Sequence, residues 1–311
     1  MTIAQHYLDF ATREARGVSA TYERLASAVS RDDELLARLG ELPEAKRQPN
    51  LLFGVVRLLG GPVDDPAAFR DHVLAHWPAI AAEMGSRITQ TNEPGRCAVL
   101  LPVLAALPQP LALLEVGASA GLCLYPDRYA YRYGDHVVGT GEPVLHCAAE
   151  GAPLPDRRPE VVWRAGLDIN PLDVTHPADV AWLDALIWPE HAHRRARLRA
   201  AAAIAAAEPP LLVRGDVLDD LPRLAAQAPP GATLVVFHSS VMYLVPGDRR
   251  EAFARAVTAL PGHWISNESP HVIGHEGLPE PPDGGHHNVL ALDGRPLAWT
   301  RGHGQAITWF G

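Results

Sequence analysis

The sequence predicts an α/β protein with a helical N-terminal part. A mostly parallel sheet follows, with helices on both faces and a C-terminal antiparallel hairpin. Three observations carry this. Within residues 1–107 apolar residues recur at helical spacing, and no segment alternates in the manner of a strand. From residue 111 onward, the short apolar runs LALLEVG, VVWRAGLD, PLLVRGD, TLVVFHSS and GHWISNE are separated mainly by helical patterns. That is how buried parallel strands and their crossover helices read. The chain closes with NVLALDG, PLAWT and QAITWF, joined by turns too short for a crossover.

Tyr7, Phe10, Ala11 and Ala15 mark a first helix, and Tyr22, Leu25, Val29, Leu35 and Leu36 a second over about 20–39. PNLLFGVVRLLGG starts at Pro49 and stops at Gly60-Gly61. DDPAAFRDHVLAHWPAIAAEMG is capped at Asp64 or Asp65 and is expected to bend at Pro78. NEPGRCAVLLPVLAAL follows, capped by Thr91 or Asn92. The PQP at 108–110 divides a helical cap, 1–108, from the sheet domain, 109–311. Further helices are expected around 176–207, 218–227 and 247–260.

The net charge of −9, with Lys46 the single lysine, argues against nucleic acid or anionic membrane as a partner. Arg194, Arg195, Arg197 and Arg199 open an Ala-rich helix and read as its solvated face. Cys97, Cys123 and Cys147 form no C-x-x-C, so no disulfide framework or zinc knuckle is indicated. MTIAQHYLDF lacks a leader pattern, and no apolar run is long enough to span a bilayer. The expectation is a cytoplasmic protein acting on a small molecule, without a metal.

LLEVGASAGLCLY (113–125) admits two chemistries. Gly117-Ala118-Ser119-Ala120-Gly121 is a G-x-S-x-G string, the form of a hydrolase nucleophile elbow, with Asp216 and His238 or His303 as triad partners. Glu115, Gly117, Ser119 and Gly121 also form an acidic-x-G-x-x-x-G string, in which a glycine-rich turn lets backbone approach a nucleotide-like cofactor. No strand and no HGGG-type loop precede the string, which weakens the elbow reading. The cofactor reading asks for an acid ending the second strand, and RAGLDINP supplies Asp168. Asp216 ends the third strand, and His238, Ser239 and Ser240 end the fourth.

This order of motifs, with the terminal hairpin, resembles the class I S-adenosylmethionine-dependent methyltransferases, a Rossmann-like fold, over roughly residues 110–311. The resemblance implies S-adenosylmethionine as cofactor. It carries the glycine-rich loop onto Glu115, Gly117, Ser119 and Gly121, the ribose-binding acid onto Asp168 and the adenine-side acid onto Asp216. The segment after the fourth strand becomes His238–Tyr243, with Ser239 beside the cofactor. Two departures stand out. Ser119 replaces the middle glycine, and Asp168 follows Gly121 by 47 residues against about 20 in a dinucleotide-binding unit. The excess reads as a β-ribbon inserted at about 129–160. End to end, the chain is also similar to a bacterial family of unknown function. The shared segments are QTNEPGR (90–96), EVGASAGL (115–122), DRYAYRYG (127–134), WPEH (188–191) and FHS (237–239).

For methyl transfer, His238 is the leading general base, since an ordinary imidazole titrates near neutral pH. Glu93 and Tyr243 complete the catalytic candidates. RITQTNEPGR (87–96) offers Arg87, Gln90 and Asn92 to a substrate, or a helix cap alone. Arg128 lies just after the helix expected beyond the glycine-rich turn and is placed to meet a substrate carboxylate or Glu93. Tyr129, Tyr131 and Tyr133 read as core. Asn267 and Glu268 end the fifth strand, to face the cleft or hold structure. HVIGHEGLPEPPDGGHH is too rich in Pro and Gly for a helical metal pair and reads as a mobile loop or lid. A non-catalytic protein binding a nucleotide-like ligand remains the third functional class.

Overall fold

The computed structural model describes residues 1–311. Six helices come first: α1 (Ile3–Asp9), α2 (Ala20–Val29), α3 (Asp33–Gly40), α4 (Pro49–Leu58), α5 (Pro66–Ala75) and α6 (Trp77–Ser86). Then α7 (Cys97–Ala106) leads into β1 (Leu111–Val116). Next come β2 (Ala130–Tyr133), β3 (His136–Val138), β4 (Val144–His146), β5 (Ala148–Glu150) and β6 (Val161–Asp168). α8 (Pro177–Leu186) and α9 (Ala192–Ala207) precede β7 (Leu211–Arg214). α10 (Leu221–Ala225), β8 (Thr233–Ser239), α11 (Gly247–Thr258) and β9 (His263–Glu268) follow. The chain ends with β10 (Asn288–Leu292), β11 (Arg295–Thr300) and β12 (Ala306–Trp309).

Two compact units result. One is Met1–Thr91 with His176–Ala196; the other is Asn92–Thr175 with Arg197–Gly311. The chain therefore passes between them three times. α7 belongs to the sheet unit, because its residues Cys97 to Leu104 are all buried. A helix apolar all round needs cover on every side.

The helical unit is centred on Phe53, whose ring lies 4.8–6.2 Å from those of Tyr7, Phe10, Tyr22 and Phe69. Trp188 adds its indole 5.7 Å from Phe10 and 5.4 Å from Tyr22. The stretch expected as one helix over 20–39 is two. Asp32 separates them, its Oδ1 accepting the N–H groups of Glu34 and Leu35 as the cap of α3. Pro78 does not bend a helix. α5 ends at Ala75 and α6 starts afresh at Trp77, placing Pro78 in a first turn, where a missing N–H goes unnoticed.

The sheet unit holds nine strands in the order β5-β12-β11-β10-β9-β8-β1-β6-β7. From β7 to β9 neighbouring strands are parallel, and β9 to β12 run antiparallel. β1 is buried along its whole length, so a continuous apolar run without alternation marked it correctly. α10 and α11 place Leu221, Leu224, Phe253 and Val257 against Leu114, Leu167 and Val236 of the strands. Each such side chain contributes about 1.5–3 kcal/mol when fully buried. Within the stretch read as a ribbon, β2, β3 and β4 form a separate small sheet, and β5 joins the main sheet beside β12. Numbered among themselves, the five parallel strands run 3-2-1-4-5. The order reverses between β1 and β8, where open sheets of this kind bind ligands beyond the strands' carboxyl ends.

Candidate functional site

At the carboxyl end of β1 the chain makes a tight turn through Gly117, Ser119 and Gly121, all with left-handed φ (73°, 51° and 71°). For Ser119 this conformation costs about 1–2 kcal/mol, so the surroundings must impose it. They do. The Ser119 N–H donates to Asp168 Oδ2 at 2.7 Å, and the Leu172 N–H to Ser119 O at 3.1 Å. Gly117 N–H donates to Leu167 O at 2.8 Å. Gly166 in β6 permits the close approach, since a Cβ there would stand 2.5 Å from Ala118 Cβ. Asp168 Oδ1 in turn accepts the Asn170 N–H at 2.7 Å. Asp168 thus clamps the end of β6 to the turn after β1. The helix expected beyond the turn is absent. A single 3-10 turn, Leu122–Leu124, follows, so no helix N-terminus faces this point.

Asn92 and Glu93 secure the turn from its other side. Asn92 Nδ2 donates to Ala118 O at 3.3 Å, and Asn92 Oδ1 accepts the Leu122 N–H at 3.1 Å. The helix cap itself is Glu93, whose Oε1 accepts the Gly95 N–H and lies 2.8 Å from Arg197 Nε. Glu93 is 3% exposed, and Arg197, 15% exposed, is its partly buried counter-charge rather than part of a solvated face. Arg96 spans to Ser239 O (2.7 Å) and Gly302 O (3.0 Å). Glu115, 5% exposed, is the last residue but one of β1. Burial raises its carboxyl well above the ordinary value; Cys123 and Asp168 add to this and Arg96 opposes it. Glu115 Oε2 and Ser119 Oγ are buried without a hydrogen-bond partner.

After β8 the geometry departs from expectation. His238 has no solvent exposure and does not reach a cleft. It stands in register with Ser266 of β9, so Trp264 and Glu268, two residues to either side, flank it on the same face. His238 Nδ1 lies 2.8 Å from Glu268 Oε1, and Trp264 Nε1 donates to His238 Nε2 at 3.0 Å. An indole only donates, so Nε2 carries the lone pair and Nδ1 the proton. Both ring nitrogens are engaged, and no base is bonded to Ser119 Oγ. Glu268 Oε1 also accepts the N–H groups of Val241 (3.0 Å) and Met242 (3.3 Å). Asn267 is equally internal, with Nδ2 on Ser239 Oγ (2.9 Å) and Oδ1 on Thr300 Oγ1 (2.6 Å).

Other expected residues lie apart. Tyr243 is 63% exposed in the turn after β8, beside Leu244 at 65%, and Ile169, 66% exposed, follows Asp168. Asp216 Oδ1 accepts the Leu218 N–H and pairs with Arg249 at 2.6 Å, closing the turn after β7. Arg128 pairs with Glu208 and Asp127, not with Glu93. Tyr129, Tyr131 and Tyr133 are core, each donating its hydroxyl to a backbone carbonyl at 2.6 Å. Arg87 and Gln90 belong to the helical unit. Arg87 lies 2.6 Å from Glu83 and 5.0 Å over the Trp182 ring. The loop 269–287 is irregular, and no three His, Cys, Asp or Glu side chains gather as a metal site. No helix is long and apolar enough to cross a membrane. Sequence reasoning missed Trp264, whose role arises from strand register.

Residues 4–309 match the family model described as an uncharacterized protein conserved in bacteria (DUF2332), and the chain belongs to that family. No curated protein and no solved structure matches it.

Proposed function

With membership of this bacterial family as the premise, we propose that the sheet unit binds an adenosyl ligand, S-adenosylmethionine, at the carboxyl ends of β1 and β6. The activity proposed is methyl transfer to a small molecule. One observation carries the reading. Glu115 Oε2 and Ser119 Oγ, both buried, lack partners at the turn next to the strand-order reversal. Buried polar atoms are nearly always satisfied, so two orphans four residues apart, one near the end of β1 and one in the turn that follows, suit a ligand with polar groups.

The surrounding residues fit a nucleoside. Each carboxylate oxygen of Asp168 receives one backbone N–H. An ionised carboxylate oxygen has a second acceptor position, which suits the two hydroxyls of a ribose. Ile169 next to it offers exposed apolar surface for a flat base. Glu115 and Ser119 would meet the polar remainder of the ligand. Bound there, S-adenosylmethionine would supply an activated methyl group for an acceptor lone pair. The chain's own contribution is positioning in a turn held rigid by Asp168, Asn92 and Leu167. His238 takes no proton in this scheme; it holds the turn after β8. The serine-hydrolase reading has less support, because Ser119 Oγ has no base.

Calorimetric titration with S-adenosylmethionine and S-adenosylhomocysteine tests the proposal. The expected result is micromolar binding of both, weakened at least tenfold in Asp168→Asn. Absence of binding to either, in a folded protein, would refute it. Binding without turnover of any acceptor would leave a ligand-binding protein on this fold.

A further inference from the structure

We propose that Arg96 receives a carboxylate group of the methyl acceptor, which makes the substrate an acid; this rests on the methyl-transfer reading above. The segment from Asn92 to Arg96 bridges the two strand ends at the reversal of order. Asn92 holds the turn after β1, through Ala118 O and the Leu122 N–H. Arg96, four residues on, holds the end of β8 through Ser239 O. β8 lies on the side of β1 away from β6 and Asp168. A ligand that uses Asp168 therefore leaves the Arg96 side to its reaction partner.

Arg96 has the features of a binding group. It is 8% exposed and forms no ion pair. Nε and Nη1 donate to the carbonyls of Gly302 and Ser239, which fix the plane of the guanidinium. Nη2 donates to nothing in the chain, and it is not sealed from solvent. A buried cation without a counter-charge is costly, and the carboxylates on this side do not supply one. Glu93 is paired with Arg197. Glu115 feels the charge of Arg96, yet burial outweighs it and favours the protonated carboxyl. Oε2 of that carboxyl and Ser119 Oγ are the two unpartnered atoms described above. A guanidinium nitrogen, a carboxylic acid and a hydroxyl can all donate. One uncompensated positive charge beside two neutral donors matches a group with a single negative charge and acceptor oxygens. A carboxylate meets this; a phosphate dianion brings one negative charge too many.

The test is calorimetry on wild type, Arg96→Gln and Arg96→Lys, with and without S-adenosylhomocysteine, using benzoate, benzamide and inorganic phosphate as probes. Wild type should bind benzoate at millimolar strength, and benzamide and phosphate at least tenfold more weakly. Arg96→Gln keeps N–H donors without the charge. It should weaken benzoate at least tenfold, the scale of a hydrogen bond to a charged group, and Arg96→Lys should recover part. S-adenosylhomocysteine and methylthioadenosine, which lacks the amino-acid carboxylate, should each change less than twofold. Loss of S-adenosylhomocysteine alone would assign Arg96 to the cofactor's own carboxylate and overturn the proposal. Equal loss of every ligand would mark a purely structural arginine and overturn it too. So would benzoate that does not bind, or that binds Arg96→Gln as tightly as wild type; unchanged binding of the adenosyl ligands would then leave the cofactor reading intact. A wild type that binds neither adenosyl ligand removes the cofactor reading, and benzoate binding lost in Arg96→Gln would still keep Arg96 as an acid-binding residue.

Discussion

Removing the Glu268 carboxylate tests how the end of β8 is held. Oε1 accepts from His238 Nδ1 at 2.8 Å, from Val241 N at 3.0 Å and from Met242 N at 3.3 Å. Glu268→Ala leaves three donors without an acceptor. A buried donor so stranded costs about 1–3 kcal/mol. Val241 is half-buried and can recruit water, so the sum should fall at about 3–6 kcal/mol rather than at the upper limit. Glu268→Gln keeps a carbonyl oxygen for the two backbone N–H groups and loses only the charge assistance, at about 1–2 kcal/mol. Urea unfolding of wild type and both variants, compared at equal slope, measures the difference. Hydrogen exchange at Val241 and Met242 should accelerate in the alanine variant and little in the glutamine one. An alanine variant within about 1 kcal/mol of wild type, a loss smaller than one buried unsatisfied donor, would refute the reasoning. So would unchanged protection of those two amides.

Two further outcomes follow, one from the helical unit and one from the sheet unit. Burial pushes the Glu190 carboxyl upward, but hydrogen bonds from Ser19 Oγ and the Thr21 N–H outweigh it and hold it at about 2. A depressed folded value gives stability that is full above the unfolded value, about 4.3, and is lost as pH falls toward 2. Urea midpoints of wild type and Glu190→Gln should therefore converge over that interval; a constant gap would count against the assignment. Arg164, 8% exposed, binds Asp127 through two nitrogens at 2.8 and 2.7 Å and lies 4.7 Å over the Tyr125 ring. Arg164→Met should cost about 3 kcal/mol, the lower end for breaking a buried pair, because Arg128 still stands 3.3 Å from Asp127, and Asp127→Asn in the same chain should recover part. Full additivity in that double-mutant cycle would mean that the pair is not coupled.

The parallel strands were legible because each is a short apolar run ending in a polar or glycine residue, and the reversal between β1 and β8 follows from crossover rules. The turn after β1 and its acid, Asp168, were legible for the same reason: strand ends fix where such groups stand. His238 was not. β8 is buried on both faces from Leu234 to Ser239, so alternation cannot tell which side a residue takes. Only pairing with β9 puts His238 between Trp264 and Glu268. Arg197 was hidden differently. Among four arginines on one helix, the one that turns to a buried carboxylate is chosen by Glu93, which lies 104 residues earlier.

The placement of β5 has a kinetic consequence. Ala148 pairs with Ala306, so this edge of the sheet needs two segments 158 positions apart. At a synthesis rate of about 5–20 residues per second, β5 waits roughly 8–30 s for its partner. During that time β1, β6 and β7 can assemble from one contiguous stretch of chain, while the ribbon stays tethered beside them. Of the strands of this sheet, the last to be synthesised is thus the one that β5 requires. Truncation just before β12 should therefore strand β5 as well, exposing two segments of backbone to proteases for the loss of one.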